Sequence, residues 1–531
     1  MIHRFLGAAA ALAVSAGMAQ AEYTLHVLHI NDLHSRIEPI SRFDGTCGAE
    51  DDAEGKCFGG VARLKTLIDS KRSELAGENV VTLDAGDQFQ GSLMYTTYKG
   101  DVEAEMMEAI GFDAMAVGNH EFDDGPEALS AFIDKVSFPV ISGNLDLSAS
   151  DLLRDKVSST VVLEVGGEKI GIVSALATDT AETSSPGPNV TFQDEIDAIA
   201  ADVAELEAMG VNKIIALTHV GLRKDLEIAA AVPGLDAVVG GHSHTFLSAS
   251  NPKRAGAYPT FASQEDGTLV PVVQAYAYSK YLGHLELTFD DAGNLVYAGG
   301  DTILVGPEIT KDAALEARVA ELAGPIEELK ARVVAETTAP IDGDRANCRA
   351  RECEMGNLVA DAMLDRVKDQ GIQIAIQNGG GLRASIDAGE VTMGEVLTVL
   401  PFQNTLATFE LTGADVIAAL ENGVSRLADG AGRFPQVAGM KYTFDGAAEP
   451  GARVSDVMVA DGDGFAPIEM DKVYGVVSNN YMRGGGDGYK MFSTNGMNAY
   501  DFGPGLELVV ADFLAANGAY TPMLDGRITA K

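Results

Sequence analysis

Positive charge is what this chain has least of. Its 531 residues carry 38 lysines and arginines against 78 aspartates and glutamates, a formal net charge of −40. Binding a polyanion takes a basic surface, so no nucleic-acid partner is expected. An anionic small molecule remains open, provided that positive charge is concentrated locally, from bound metal ions or from arginines. Cysteine is nearly as scarce. The four fall into two local pairs, Cys47 with Cys57 and Cys348 with Cys353. In an exported chain such pairs predict two small disulfides that pin local loops. A zinc knuckle is the competing reading, and the absence of adjacent histidines counts against it. Long apolar runs are also missing. A membrane span needs roughly 18 or more apolar residues, and only residues 5–14 come near. Preceded by Arg4 and followed by Ala19-Gln20-Ala21, they predict a secretory signal peptide over residues 1–21. Residues 525–531 carry no lipid-anchor pattern. The expected molecule has no stable membrane association and resides in a bacterial periplasm or is released. No Gly-x-Ser-x-Gly elbow and no short internal repeat occur.

What is present is a large globular composition, 46% hydrophobic and 22% charged, long enough for more than one domain. Over residues 22–308, β-rich runs at 25–30, 80–83, 114–117, 140–142, 169–174, 213–218 and 236–239 alternate with helical patterns at 101–110 and 194–209. That alternation predicts a layered α/β domain with buried strands. Residues 309–335 form a helical connector on this pattern, broken at Gly324-Pro325. A second, smaller α/β domain fills 336–531.

Chemistry-bearing residues sit where these strands end. The first runs into Asn31-Asp32-Leu33-His34, and the second into Asp84-Ala85-Gly86-Asp87. The third runs into Gly118-Asn119-His120-Glu121-Phe122-Asp123. The sixth ends at His219, and the seventh at Gly240-Gly241-His242-Ser243-His244. The carboxyl ends of strands are where α/β sheets build ligand sites. Carboxylate, amide and imidazole together suit divalent ions such as Zn²⁺ or Mn²⁺. Five of the nine histidines fall in these loops; His26, His29 and His284 read as ordinary strand residues. Glu121, Ser243 and Asp84 read as supporting residues.

Asn-Asp-Leu-His, Gly-Asp-Gln-Phe-Gln-Gly, Gly-Asn-His-Glu-Phe-Asp, Thr-His and Gly-Gly-His-Ser-His, in this order, resemble the calcineurin-like metallophosphoesterase signature. The resemblance implies a four-layer α/β/β/α sandwich holding two divalent ions, Zn²⁺ or Mn²⁺, with Co²⁺ or Mg²⁺ as alternatives. One ion falls to Asp32, His34 and His244, the other to Asn119, His219 and His242, with Asp87 bridging. Some relatives carry Asn or Gln at the place of His244. His120 and Asp123 resemble the family's catalytic dyad, and the attacking group it implies is a hydroxide bridging the two metals.

Three stretches of the second domain, around Arg349 and Arg351, at Gln377-Asn378-Gly-Gly-Gly-Leu-Arg383 and at Asn480-Tyr481-Met-Arg-Gly-Gly-Gly-Asp487, together with Leu400-Pro401-Phe402, resemble the C-terminal domain of 5′-nucleotidases. By that resemblance Phe402 and Tyr481 sandwich a base, Arg349, Asn378 and Arg383 hold phosphate, and Asp487 takes the ribose. Tyr481 replaces the phenylalanine of some relatives. Arg351 is left as a phosphate contact or a local ion pair. The expected activity is hydrolysis of nucleoside 5′-monophosphates, by a monomer or homodimer, with the second domain rotating about the connector. Alternatives on the same site are UDP-sugar or dinucleotide pyrophosphatase and 2′,3′-cyclic-nucleotide phosphodiesterase. A dimanganese thiosulfohydrolase and a non-catalytic nucleotide-binding protein are more distant.

Overall fold

A computed structural model describes residues 22–531 except 43, 45, 46, 179, 403 and 463. The signal peptide expected over residues 1–21 lies outside the described residues. The expected strand pattern becomes two six-stranded sheets. In the first, strands Leu295–Leu304, Tyr281–Phe289, Tyr23–Ile30, Asn79–Asp84, Ala114–Ala116 and Val140–Ile141 lie side by side. The second has the order Thr260–Ser263, Leu269–Val273, Ala237–Gly240, Ile214–His219, Glu168–Leu176, Thr160–Val165. Central strands are parallel and antiparallel partners flank them.

The sheets pack face to face through Leu25, Val27, Val81 and Leu83 of the first and Ile172, Ile215, Leu217 and Val239 of the second. Helices Val61–Glu74, Asp101–Ile110 and Ala313–Lys330 cover the outside of the first sheet. Glu195–Ala208 and Leu222–Ala231 cover the second. The result is the expected α/β/β/α sandwich. Burial on both faces explains why Ile214–His219 reads as a continuous apolar run rather than an alternating one. His29 is buried between the sheets and hydrogen-bonds Tyr258 Oη at 2.8 Å, an ordinary core histidine.

The break expected at Gly324-Pro325 does not occur. Helix Ala313–Lys330 runs through Pro325. A proline removes the hydrogen bond to the carbonyl four residues back and crowds that carbonyl, and here that residue, Glu321, is exposed to water. Leu322 and Ile326, buried against the first domain, clamp the helix on both sides of the proline.

In the second domain a five-stranded sheet has the order Pro435–Ala438, Ile372–Asn378, Val473–Asn479, Leu406–Thr412, Met497–Tyr500. Helices Glu354–Arg366 and Leu506–Asn517 cover one face. Helix Gly413–Gly423 and a small four-stranded sheet cover the other. Ile372–Asn378 and Val473–Asn479 are parallel neighbours, so Asn378 and Tyr481 emerge at one sheet edge. Both disulfides are present, Cys47–Cys57 and Cys348–Cys353. No helix among the described residues is long and apolar enough to cross a membrane.

Candidate active site

The two sheets bring their strand ends to one place. Asp32, His34 and His244 converge, as do Asp87, His219 and His242; a third grouping joins His34, Asp87 and His120. Nearly all of these side chains are buried. Asp87 belongs to two of the groupings and lies between the others. His219 Nε2 is 3.0 Å from Asp87 Oδ2, and His244 Nε2 is 3.2 Å from Asp32 Oδ1. His34 Nε2 and His244 Nε2 face each other at 3.0 Å. Asn119 completes the second group, its Oδ1 2.8 Å from His242 Nδ1.

This packing suits cations. Asp87 Oδ2 and His219 Nε2 are buried and, although 3.0 Å apart, make no well-formed hydrogen bond to each other or to any other group, and buried polar atoms rarely go unsatisfied. Two carboxylates, an amide and four imidazoles form a donor set for divalent metal. The His219 tautomer is set from behind, Nδ1 donating to the Ala85 carbonyl at 2.6 Å and leaving Nε2 for the cluster. Burial works to lower the pKa of His219, but Asp87 and Asp32 outweigh it and hold the ring up to about 10 before any cation's charge is counted.

The backbone carries strain here. Asp32, His34, Asp87, His242 and His244 all have φ between 46° and 73°, a left-handed region that non-glycine residues seldom adopt outside functional sites. The surroundings impose it. Glu121, fully buried, accepts hydrogen bonds from the backbone N–H groups of Asp87, Gln88, Phe89 and Gly118 at 2.7–3.2 Å. Asp225 accepts from Thr218 Oγ1 at 2.6 Å and from Gln274 Nε2 at 3.1 Å. The same Gln274 binds the Gly241 carbonyl and the Thr245 N–H, pinning the loop of His242 and His244. Gly118 has no substitute, because a Cβ there would strike Asp87 Oδ1.

His120 stands beside the cluster with Nδ1 2.6 Å from Asp123 Oδ2. Ser184 Oγ donates to the other Asp123 oxygen at 2.8 Å, a partner that no sequence motif marks. Burial pushes the His120 pKa down; Asp123 and Asp87 more than reverse this, to about 9. His120 Nε2 is left buried and unpartnered.

In the second domain Arg349, Asn378, Arg383, Phe402, Tyr481 and Asp487 line one cavity of about 570 Å³. Arg383 lies over the Phe402 ring, Cζ 5.3 Å from its centroid. Asp487 accepts from Asn378 Nδ2 at 2.7 Å and from Tyr481 Oη at 3.2 Å. Arg349 donates from Nη1 to the Gly430 carbonyl at 3.2 Å. Arg351 turns away and donates from Nη2 to Asn347 Oδ1, a neutral amide, so it makes neither the cavity contact nor the local ion pair expected of it. Arg42 and Asp44 of the first domain also line the cavity, which sequence reasoning did not foresee. None of the metal-ligand candidates does.

A different part of the second domain meets the metal cluster. Phe502 lies over it, ring centroids 4.7 Å from His244 and 5.3 Å from His242. Gln90 Nε2 donates to the Gly503 carbonyl at 3.2 Å. An interdomain cleft of about 810 Å³, lined by Gln90, Asp123 and Ser184 on one side and Leu406, Tyr500 and Phe502 on the other, opens beside the His120–Asp123 pair.

Comparison with known proteins accounts for both halves. Residues 25–246 match the model of the calcineurin-like phosphoesterase family, and residues 333–494 that of the 5′-nucleotidase C-terminal domain. The human 5′-nucleotidase is 38% identical, aligning 96% of this chain with 91% of its own. The snake venom 5′-nucleotidase of Naja atra is 36% identical over 95% of this chain and 98% of its own. Among solved structures, a 5′-nucleotidase precursor from Thermus thermophilus is 40% identical with a TM-score of 0.61, covering 96% of this chain and 99% of that one. The NAD nucleotidase of Haemophilus influenzae, 26% identical, reaches 0.77 over 96% and 100%. With relatives above 30% identity matched along almost their whole length, the chain belongs to the 5′-nucleotidase family, a calcineurin-like phosphoesterase domain joined to a 5′-nucleotidase C-terminal domain.

Proposed function

We propose that this protein hydrolyses nucleoside 5′-monophosphates to nucleoside and phosphate, as an exported, periplasmic scavenging enzyme. The convergence of Asp32, His34, Asp87, Asn119, His219, His242 and His244 beside the His120–Asp123 pair carries this reading. Two divalent ions, Zn²⁺ or Mn²⁺, when held by these residues supply an acidified water and draw charge from the phosphoryl oxygens. Everything else falls to side chains. Asp123 orients the His120 ring and keeps its proton, so that Nε2 can donate to a phosphoryl or leaving oxygen as charge develops. Phe402 and Tyr481 supply faces for any flat base, favouring broad base tolerance. Arg349 and Arg383 fork onto phosphate, Asn378 adds an amide, and Asp487 is offered to the ribose hydroxyls.

The cavity shares no lining residue with the metal cluster, and Phe502 covers the cluster. Both features favour a cycle in which the second domain turns about the connector, withdrawing Phe502 and presenting nucleotide to the ions. The test is phosphate release from AMP by metal-stripped protein with Zn²⁺, Mn²⁺, Co²⁺ or Mg²⁺ restored, beside UDP-glucose, 2′,3′-cyclic AMP and His120→Ala. AMP turnover that requires metal and falls about 10²–10⁴-fold in the variant is expected. Bound metal with no phosphate released from any nucleotide would overturn the proposal.

A further inference from the structure

The segment that carries Phe502 is braced from its own domain. Tyr500 Oη donates to the Phe502 carbonyl at 2.9 Å, and Thr405 Oγ1 to the Asp501 carbonyl at 2.6 Å. Arg483 Nε lies 3.4 Å from Asp501 Oδ1. The Gly503 N–H donates to the Leu406 carbonyl at 2.9 Å, and the Leu406 N–H to the Pro504 carbonyl at 3.0 Å. Gly503 presses so close that a Cβ there would stand 2.5 Å from the Leu406 carbonyl oxygen. These contacts hold the backbone on both sides of Phe502 and leave its ring pointing at the other domain, where the hydrogen bond from Gln90 docks the segment.

The ring lands on the least covered part of the cluster. Asp32, His34, Asp87, Asn119 and His219 are buried, whereas His242 and His244 keep some exposure. Phe502 stands over these two. His244 is held between two rings, Tyr278 of its own domain at 5.2 Å and Phe502 at 4.7 Å between centroids. Phe502 also reaches the edge of His120, at 6.4 Å. Rings at the near end of this range are in contact, which leaves no room for a tetrahedral anion between Phe502 and His244. An apolar ring has no donor to replace the water that a phosphate gives up. Ring and phosphate therefore compete for one place.

Two classes of phosphate ester meet this cover differently. A nucleotide has a base, and the cavity that suits it shares no lining residue with the cluster, so it can dock with the ring in place. An ester without a base has only the cluster to bind, and so has the phosphate released by turnover. Their apparent affinity is cut to the fraction of molecules in which the ring has withdrawn. Resting on the nucleotidase reading above, we propose that Phe502 is a specificity-determining residue, a cover that withholds the cluster from phosphate esters lacking a base and from free phosphate.

The test compares wild type, Phe502→Ala and Phe502→Tyr, all metal-loaded, with AMP and glycerol 2-phosphate as substrates and inorganic phosphate as inhibitor. In Phe502→Ala, KM for glycerol 2-phosphate and the inhibition constant of phosphate should each fall about tenfold, as for a ring in place roughly nine-tenths of the time, while KM for AMP stays within about twofold. Loss of metal into excess chelator, read with a colorimetric indicator rather than by turnover, should quicken by a similar factor. Phe502→Tyr keeps the ring and should match wild type in every measurement, which separates the cover from a loosened fold. Phosphate inhibition and metal loss unchanged in Phe502→Ala, or AMP and glycerol 2-phosphate affected equally, overturns the proposal and leaves the nucleotidase reading intact. No turnover of AMP by the wild type would instead remove that reading, and this proposal with it.

Discussion

The Asp, His and Asn cluster of the first domain and the arginine-lined cavity of the second are built on opposite rules. In the cluster the loops that carry the ligand candidates are held from behind. Glu121 grips four backbone N–H groups, Asp225 and Gln274 fix the last loop, and five residues are kept in left-handed conformations. In the cavity the side chains hold mainly one another, and Tyr481 is 48% exposed. Chemistry at phosphorus tolerates little misplacement, since small shifts cost large factors in rate, whereas stacking on a base is forgiving in register and identity. The first region should therefore fail abruptly under mutation and the second gradually.

The largest break in that contrast comes at Asp87. Asp87→Ala removes the residue shared between ligand groups, and several kcal/mol of charge stabilisation with it; activity should drop about a thousandfold. Metal analysis should find fewer than two ions per chain. Retention of two ions and activity within tenfold would contradict a shared ligand. Next in size is Glu121→Gln, which touches no substrate. Losing a support of this kind costs roughly 10–100-fold in metal affinity, and excess metal should restore kcat. A variant whose activity stays low at saturating metal would mean that Glu121 acts on the reaction itself. The smallest effect belongs to the cavity. Tyr481→Phe keeps the ring and loses both hydrogen bonds with Asp487, one donated to its carboxylate and one accepted from its N–H, so KM for AMP should rise about 2–5-fold at unchanged kcat. Equal falls in kcat would place Tyr481 with the abrupt region rather than the gradual one.

The same contrast explains what was legible in the sequence. Strands buried on both faces read as apolar runs, and the ligands follow each run directly, as Asp32 follows Tyr23–Ile30 and His219 ends Ile214–His219. Strand, turn and ligand are local, so composition exposes them. The antiparallel strands Tyr281–Phe289 and Leu295–Leu304 went unforeseen, because half-exposed alternation is a weaker signal than a buried run. Phe502, Ser184, Arg42 and Asp44 reach their places only through contacts between distant segments, and no local spacing announces such contacts. Gly324-Pro325 misled for a related reason. A breaker in the sequence is overruled when Leu322 and Ile326 are buried on either side.

Phe502 also has a use in the laboratory. Its ring belongs to one domain and lies 4.7 Å from a histidine of the other, in a protein without a single tryptophan. An indole placed at 502 would be the molecule's sole red-edge fluorophore. Its emission colour would tell dry from wet surroundings, turning the interface into an optical gauge readable in real time.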